Sequence, residues 1–207
     1  MTRCCRGSAE DIGLLAELWR CWAEASRDAP AAVWAQPGLG VWSVKELYAH
    51  VSRGAATAAE LIGRATEGTP EMPNASCYFG RLMAAGVRPD EQVARLAKER
   101  AARHSVPALA GAFGQAAAPV FEAARRHPDR LVTTVVGTMC TADYLVTRAV
   151  EATVHLMDFA TVVPGAPVPP PGALDRTAAV LAGLADPADL IRLATGRPGP
   201  AVFPVLC

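Results

Sequence analysis

Apolar residues recur every three or four positions along most of this chain, a spacing that predicts amphipathic helices rather than strands. The first such segment covers residues 8–26, where Ser8 followed three positions later by Asp11 is typical of a helix N-terminus. One face of this predicted helix carries an apolar stripe made of Ile12, Leu15, Trp19, Trp22 and Ala23.

A second helix is predicted to follow Ser43 and to end near Ile62. Ser43 and Glu46 have the spacing of a capping box, in which each side chain bonds the backbone N–H of the other residue. Trp42, just before the cap, can pack on Leu47 as a hydrophobic staple. The segment is therefore a well-specified helix.

Three more segments follow the helical pattern. One covers residues 90–105, and the next covers residues 108–127 with Pro119 as a kink or boundary. The strongest pattern lies over residues 142–160, where Thr141 is predicted to be the N-cap. The segments predicted to be loops or extended connectors are residues 28–41, 67–89 and 131–136.

A proline-rich linker at residues 162–172 marks the clearest boundary in the chain. Residues 1–161 are predicted to form one domain, and residues 173–207 a short extension packed on it. Two short helices are predicted in the extension, at residues 173–184 and 186–195. The predicted fold is all-α: an up-and-down four-helix bundle with a short C-terminal helical extension.

A polar stripe runs along the predicted helix of residues 142–160. Its members are separated by four, three, four and three positions and therefore share one side of the helix. The flanking positions are nearly all apolar, which predicts that most of this helix is buried. Buried charged side chains must be paired, hydrogen-bonded or bound to a metal. The stripe consists of Tyr144, Arg148, Glu151, His155 and Asp158.

These residues suggest a metal site between two helices. Glu151 and His155 lie one helical turn apart, so their side chains can reach one point in space. His50 on the second helix could complete a set of three ligands. Two imidazoles and a carboxylate suit zinc, with a fourth position left open for water or substrate. Arg148 and Asp158 are then predicted to hold the ligands in place.

Other interpretations of the same residues stay open. Glu151 and His155 can instead form a buried ion-pair network with Arg148, and His50 can be an ordinary packing histidine. Glu46 also lies four residues before a histidine, His50, but its position in the capping box already accounts for it. The two remaining histidines, which are predicted to have surface or helix-end roles, are His104 and His127.

Composition and charge exclude several classes of protein. The chain is 51% apolar and 19% charged, with a formal net charge of +0 and no basic run, so nucleic acids and anionic membranes are not expected partners. No apolar run reaches about 18 residues, and the N-terminus lacks a basic segment followed by an apolar one, so no membrane span is expected. The six cysteines show no C-x-x-C spacing and are predicted to be mostly free thiols in a reduced, cytoplasmic protein.

Two blocks of the sequence carry a family resemblance. "WSVKELYAHV" resembles the W-[ST]-x-x-[DE]-L-x-x-H block of the DinB-like superfamily. "ADYLVTRAVEATVHLMDFA" resembles the R-x-x-E-x-x-x-H-x-x-D block of its mycothiol-dependent maleylpyruvate isomerase branch, and "ADLIRLATGR" resembles an ending often seen there. The resemblance implies a four-helix bundle with a divalent metal, usually zinc, held by His50, Glu151 and His155. Members closer to the bacillithiol transferases have histidine at the position of Glu151, so the glutamate favours the mycothiol branch.

The resemblance also implies an activity. The chain is similar to enzymes that use a metal and mycothiol to act on a small electrophile such as an unsaturated acid, an enone or an epoxide. These enzymes either isomerise the electrophile or, as S-transferases, attach the thiol to it. A diacid substrate would need arginines, for which Arg81, Arg148 and Arg197 are candidates. Larger isomerases of this branch have a fuller C-terminal domain that helps form the substrate pocket, whereas only residues 173–207 follow the linker here.

Alternatives to this activity come from two other classes. One is a metal-dependent lyase or hydrolase of a biosynthetic pathway, which would use metal-bound water without a thiol. The other is a non-catalytic helical bundle that binds a small molecule. The expected partners are a small-molecule substrate and the thiol, and a homodimer is left open.

Overall fold

The computed structural model describes residues 7–85 and 90–199 of the 207-residue chain. These residues form eight α-helices, a short 3-10 helix at Ala31–Ala35 and one antiparallel hairpin, which confirms the predicted all-α class. No helix in these two ranges is long and apolar enough to cross a lipid bilayer. In chain order the elements are α1 (Ala9–Asp28), α2 (Val44–Gly63), α3 (Ala75–Ala84), α4 (Asp90–Arg103), α5 (Val106–Arg126), β1 (Leu131–Thr134), β2 (Gly137–Cys140), α6 (Thr141–Val162), α7 (Pro171–Ala182) and α8 (Pro187–Ala194).

Four helices, α1, α2, α5 and α6, form the bundle. Both α1 and α2 pack against α5 and against α6, so α1 and α2 occupy opposite corners. Trp22 of α1 lies at the centre of the bundle, where its indole donates from Nε1 to the carbonyl of Ala152 on α6 at 3.0 Å. The hydroxyl of Tyr48 on α2 donates to the Trp22 carbonyl at 2.7 Å. The rings of Phe113 and Phe159 pack around the same indole and complete an aromatic core.

Capping boxes start the first two helices, as their sequences predict. In α1, Ser8 and Asp11 exchange side-chain and backbone hydrogen bonds. In α2, the Ser43 N–H donates to a Glu46 carboxylate oxygen at 2.7 Å, and the Glu46 N–H donates to the Ser43 hydroxyl at 3.3 Å. The second box fixes where α2 begins.

Both helical segments predicted over residues 90–105 and 108–127 are present. The first is α4, which packs against α2 and lies outside the four-helix ring. The second is α5, which is the third helix of the bundle and runs through Pro119 without a break. Pro119 has no N–H to offer the Gln115 carbonyl, and the buried apolar face of α5 compensates for that missing bond.

The prediction of a loop over residues 67–89 was wrong, because the segment contains α3. Asn74 caps this helix by accepting a hydrogen bond from the Cys77 N–H at 2.9 Å. Tyr78 and Phe79 are buried against the bundle. Their burial outweighs the local cost of the nearby proline and glycine residues, which pattern alone interprets as loop.

A β-hairpin replaces the extended connector predicted at residues 131–136. Its strands pair in antiparallel register, and its turn places Gly137 at a φ of +126°. Thr141, the predicted N-cap, is instead the first residue of α6, and Cys140 holds the N-cap position without a side-chain hydrogen bond. The Thr141 hydroxyl and N–H both donate to the Arg130 carbonyl, at 2.9 and 2.7 Å. The hairpin therefore fixes the start of α6.

The two short helices predicted at residues 173–184 and 186–195 are present as α7 and α8. Helix α7 packs against α6 and α1. Its Arg176 donates from Nε to the carboxylate of Asp11 at 2.5 Å. The same carboxylate accepts the Ser8 N–H at 2.7 Å, so one buried acid both caps α1 and holds α7 against it.

The cysteines are in two states. Cys21 and Cys77 are free thiols, as the sequence predicts for most of them. Cys140 departs from that expectation, because it is disulfide-bonded. The other three cysteines lie outside the described residues and are Cys4, Cys5 and Cys207.

Substitution of the α2 cap tests its contribution to stability. Ser43→Ala removes the acceptor of the Glu46 N–H and is expected to lower the free energy of unfolding by about 1 kcal/mol, measured by urea denaturation. The control Thr57→Ala removes a hydroxyl from the interior of the same helix and is expected to change the free energy of unfolding by less than about 0.5 kcal/mol. Equal effects of the two substitutions would show that the cap does not stabilise α2.

Candidate functional site

The polar stripe of α6 faces α2 across a small cavity. His50 from α2 and Glu151 and His155 from α6 all line it. The imidazole rings of His50 and His155 lie 5.1 Å apart, centroid to centroid, at an interplanar angle of 90°. The cavity has about 10 Å³ of room for the centre of a water-sized sphere, which is about the space of one water molecule or ion. The two sequence blocks therefore meet at one small polar cavity.

His50 has a ring nitrogen whose hydrogen-bonding capacity is not used. Its Nδ1 is buried and has no hydrogen-bond partner among the described residues. The Trp42 ring packs on the imidazole with centroids 4.9 Å apart. Burial, and after it the charge of His155, lower the pKa of His50 to about 4. The imidazole is therefore neutral at pH 7, which is the form that binds metals, and a buried nitrogen without a partner requires an explanation.

His155 is oriented by a carboxylate of its own helix. Its Nδ1 lies 3.1 Å from Oδ2 of Asp158, one turn further along α6. When Nδ1 carries the proton, it donates to Asp158, and Nε2 is the nitrogen with a free lone pair. A carboxylate that holds the far nitrogen of an imidazole is the usual partner of a metal-binding histidine.

Glu151 is paired with Arg148. The guanidinium donates from Nη1 to Oε2 of Glu151 at 2.7 Å and from Nε to the Thr147 hydroxyl at 3.1 Å. It lies 5.0 Å from the ring centre of Tyr144, and its Nη2 is 3.4 Å from the hydroxyl of Tyr78. Burial alone would lower the pKa of Arg148, but the Glu151 carboxylate and the two tyrosines raise it above its ordinary value. Arg148 is thus a fixed cation whose charge Glu151 balances.

These donors are close together without forming a coordination set. Within residues 7–85 and 90–199, no group of three histidine, cysteine, aspartate or glutamate side chains is arranged to hold a metal ion. Glu151 directs one oxygen to Arg148 instead. The ion-pair alternative is therefore present in the structure, while the unsatisfied nitrogen of His50 has no place in it.

The other arginines named from the sequence do not line the cavity. Arg81 lies on α3, where its guanidinium bridges a carboxylate oxygen of Glu71 at 3.3 Å and the Val136 carbonyl of the hairpin turn at 3.2 Å. Arg197 is exposed beyond the end of α8. Both are separate from the residues around His50.

Several residues at the site were not singled out in the sequence. Tyr78 reaches Arg148 from α3, a helix that was mistaken for a loop. Trp42 was expected only as a staple for α2, yet its ring lies against both His50 and His155, the latter at 6.4 Å. The Asn74 cap followed by adjacent aromatic residues is the signal by which α3, and with it Tyr78, could have been found.

Removing Arg148 tests how much the Arg148–Glu151 pair contributes to the stability of the fold. Arg148→Met leaves the partly buried carboxylate without its cation, so we expect the free energy of unfolding to fall by about 2 kcal/mol in urea denaturation. The control Arg95→Met breaks the exposed pair with Glu99 and should cost less than about 0.5 kcal/mol. A loss for Arg148→Met no larger than that of the control would mean that the pair adds nothing to stability.

Comparison with known proteins gives one match. The family model described as mycothiol maleylpyruvate isomerase N-terminal domain matches residues 15–160, from within α1 to within α6. The matched segment contains His50, Glu151 and His155, whereas α7 and α8 lie beyond it. No curated protein and no solved structure matches the chain. Because the match covers more than half of the 207 residues, this chain belongs to the mycothiol maleylpyruvate isomerase N-terminal domain family.

Proposed function

We propose that this protein is an enzyme that uses a divalent metal, zinc, and a low-molecular-weight thiol, mycothiol, either to isomerise a small electrophile or to attach the thiol to it as an S-transferase. Family membership supports the thiol chemistry. The observation that carries the metal is the neutral imidazole of His50, whose buried Nδ1 has no partner and which faces the ring of His155.

The residues around the cavity fit a metal by their chemistry. His50, Glu151 and His155 would hold it, and two imidazoles with one carboxylate are a frequent ligand set of catalytic zinc. Asp158 holds the far nitrogen of His155 as it would around a bound ion. Arg148 competes for the Glu151 carboxylate, because it donates to one of its two oxygens.

The chain's own residues prepare the cavity for this chemistry. A zinc ion with an open position binds a thiol and favours its thiolate form, of which only a few per cent exists at pH 7 in water. Trp42, Tyr78 and Tyr144 place aromatic rings against His50 and Arg148. Arg148 stays protonated throughout and keeps the charge of Glu151 balanced. The site therefore combines fixed charges with aromatic surface, while Glu151 and His155 remain partly exposed.

Two reactions use such a site. In an isomerase, the thiolate adds to a cis double bond, the resulting single bond rotates, and the thiolate leaves unchanged. In an S-transferase, the thiolate attacks an enone or an epoxide and stays bonded to the product carbon. The thiol is recovered in the first reaction and consumed in the second.

A second candidate function is favoured by one feature of the site. The Arg148–Glu151 and His155–Asp158 contacts are two polar pairs along α6 that need no metal. Such pairs could serve a non-catalytic bundle that binds a small molecule or a partner, with α6 held in register by its charges. That function leaves the buried nitrogen of His50 unexplained, which is why the metal enzyme is preferred.

Metal content distinguishes the two functions. The purified wild-type protein is expected to retain about one zinc ion per chain after dialysis, measured by inductively coupled plasma mass spectrometry. His50→Ala and His155→Ala each remove one ligand and should lose most of that metal. The control His104→Ala changes an exposed histidine and should retain it. Absence of metal from the wild type, or equal metal in all four proteins, would refute the metal enzyme.

Thiol balance then tests the chemistry. With mycothiol and an enone, the wild-type protein should consume thiol in proportion to product, and with a cis-unsaturated acid it should form the trans acid while the thiol is recovered. Free thiol and product are measured together over time, and His50→Ala is expected to slow both reactions at least about 100-fold. Full turnover without added thiol would overturn the thiol-dependent proposal and favour lyase or hydrolase chemistry.

A further inference from the structure

Two arginines near the site have no acidic partner among the residues that the structure describes. Arg53 lies on α2, three residues after His50 and thus on the same side of that helix. Arg100 lies on α4 and faces α2. Among the ion pairs formed by the described residues, none involves either guanidinium. Both Nε atoms are buried and lack a hydrogen-bond partner there.

The two guanidinium groups lie within electrostatic reach of each other where α4 packs on α2. Arg100 donates from Nη2 to the hydroxyl of Ser52 at 3.2 Å, which brings it beside the residue that precedes Arg53. Burial lowers the pKa of Arg100, and the positive charge of Arg53 lowers it further. The charge of Arg53 also contributes to the low pKa of His50. Arg53 is therefore within electrostatic reach of His50, although neither arginine lines the candidate metal cavity.

A purely structural role accounts for little of this arrangement. The bond to Ser52 uses one of the five N–H groups of Arg100 and none of those of Arg53. The Ser52 hydroxyl is itself committed, because it donates to the Leu109 carbonyl at 2.9 Å. Two neighbouring cations, each with a buried Nε–H that lacks a partner among the described residues, repel each other, and an anion bound between them would relieve that repulsion. The planar fork of a guanidinium matches the oxygen pair of a carboxylate or a phosphate.

We propose that Arg53 and Arg100 form an anion-binding subsite that takes a carboxylate or phosphate group of a ligand. Arg148 is excluded from this role because Glu151 already balances its charge. Binding of an anion at this subsite does not require the metal. That the anion is a group of the electrophile or of the thiol rests on the proposed function. Helix α4, which lies outside the four-helix ring, thereby contributes to the choice of ligand.

Calorimetric titration of the full-length protein with succinate, and separately with inorganic phosphate, tests the subsite. Each titration is made at constant ionic strength in sodium chloride, before and after treatment with EDTA. Arg53→Gln and Arg100→Gln should each weaken binding of the preferred anion about tenfold, as expected for the loss of one charge-assisted contact. The matched control Lys98→Gln removes the same charge from an exposed site on α4 and should change the dissociation constant less than about twofold.

The succinate and phosphate arms identify the anion, and the preferred one should raise the melting temperature of the wild type but not of the two arginine variants. That comparison also shows that the variants are folded. Equal affinity in all four proteins, or no binding beyond that of chloride, would overturn the subsite. Binding that vanishes with EDTA and survives both arginine substitutions would place the anion on a metal instead. Zinc content is measured on the same samples. It separates the metal-enzyme proposal from the anion-subsite proposal, because either one can fail while the other holds.

Discussion

The burial of ionisable side chains between α2 and α6 is the constraint on which the rest of the structure depends. Most of α6 is buried in the bundle, and its polar stripe, which is only partly exposed to water, must be paired within the protein. Arg148 finds Glu151, and His155 finds Asp158. His50, on the opposing helix, keeps a buried Nδ1 without a partner among the described residues, as do the Nε1 of Trp42 beside it and the Nε atoms of Arg53 and Arg100. The site is therefore a set of polar pairs beside several polar groups that the described residues leave unpaired.

The elements around the site serve to keep those polar groups in register. The capping box of Ser43 and Glu46 fixes the start of α2, and the hairpin that holds Thr141 fixes the start of α6. Trp22 ties α1 to both helices at the centre of the aromatic core. Because α2 and α6 are both fixed at their beginnings and packed through their apolar faces, His50, Glu151 and His155 come to line the same cavity.

Local patterns in the sequence predicted most of the bundle and the composition of the site. Both capping boxes and the period of the stripe on α6 are short-range signals. They predicted that His50, Glu151 and His155 lie close together, and all three line one cavity. Helix α3 was missed because its stability comes from burial of Tyr78 and Phe79 by distant residues. The pairing of Glu151 with Arg148, and the isolation of Arg53 beside Arg100, depend on rotamers and helix packing that no local pattern encodes.

The central claim is that His50 and His155 bind one metal ion together. X-ray absorption at the zinc K-edge of the purified protein tests it most directly, because imidazole rings give a distinctive outer-shell scattering pattern. The account predicts a first shell of nitrogen and oxygen at about 2.0–2.1 Å with scattering from two imidazoles, one of which disappears in His50→Ala. A shell made only of water oxygen or sulfur, or one that His50→Ala leaves unchanged, would contradict it.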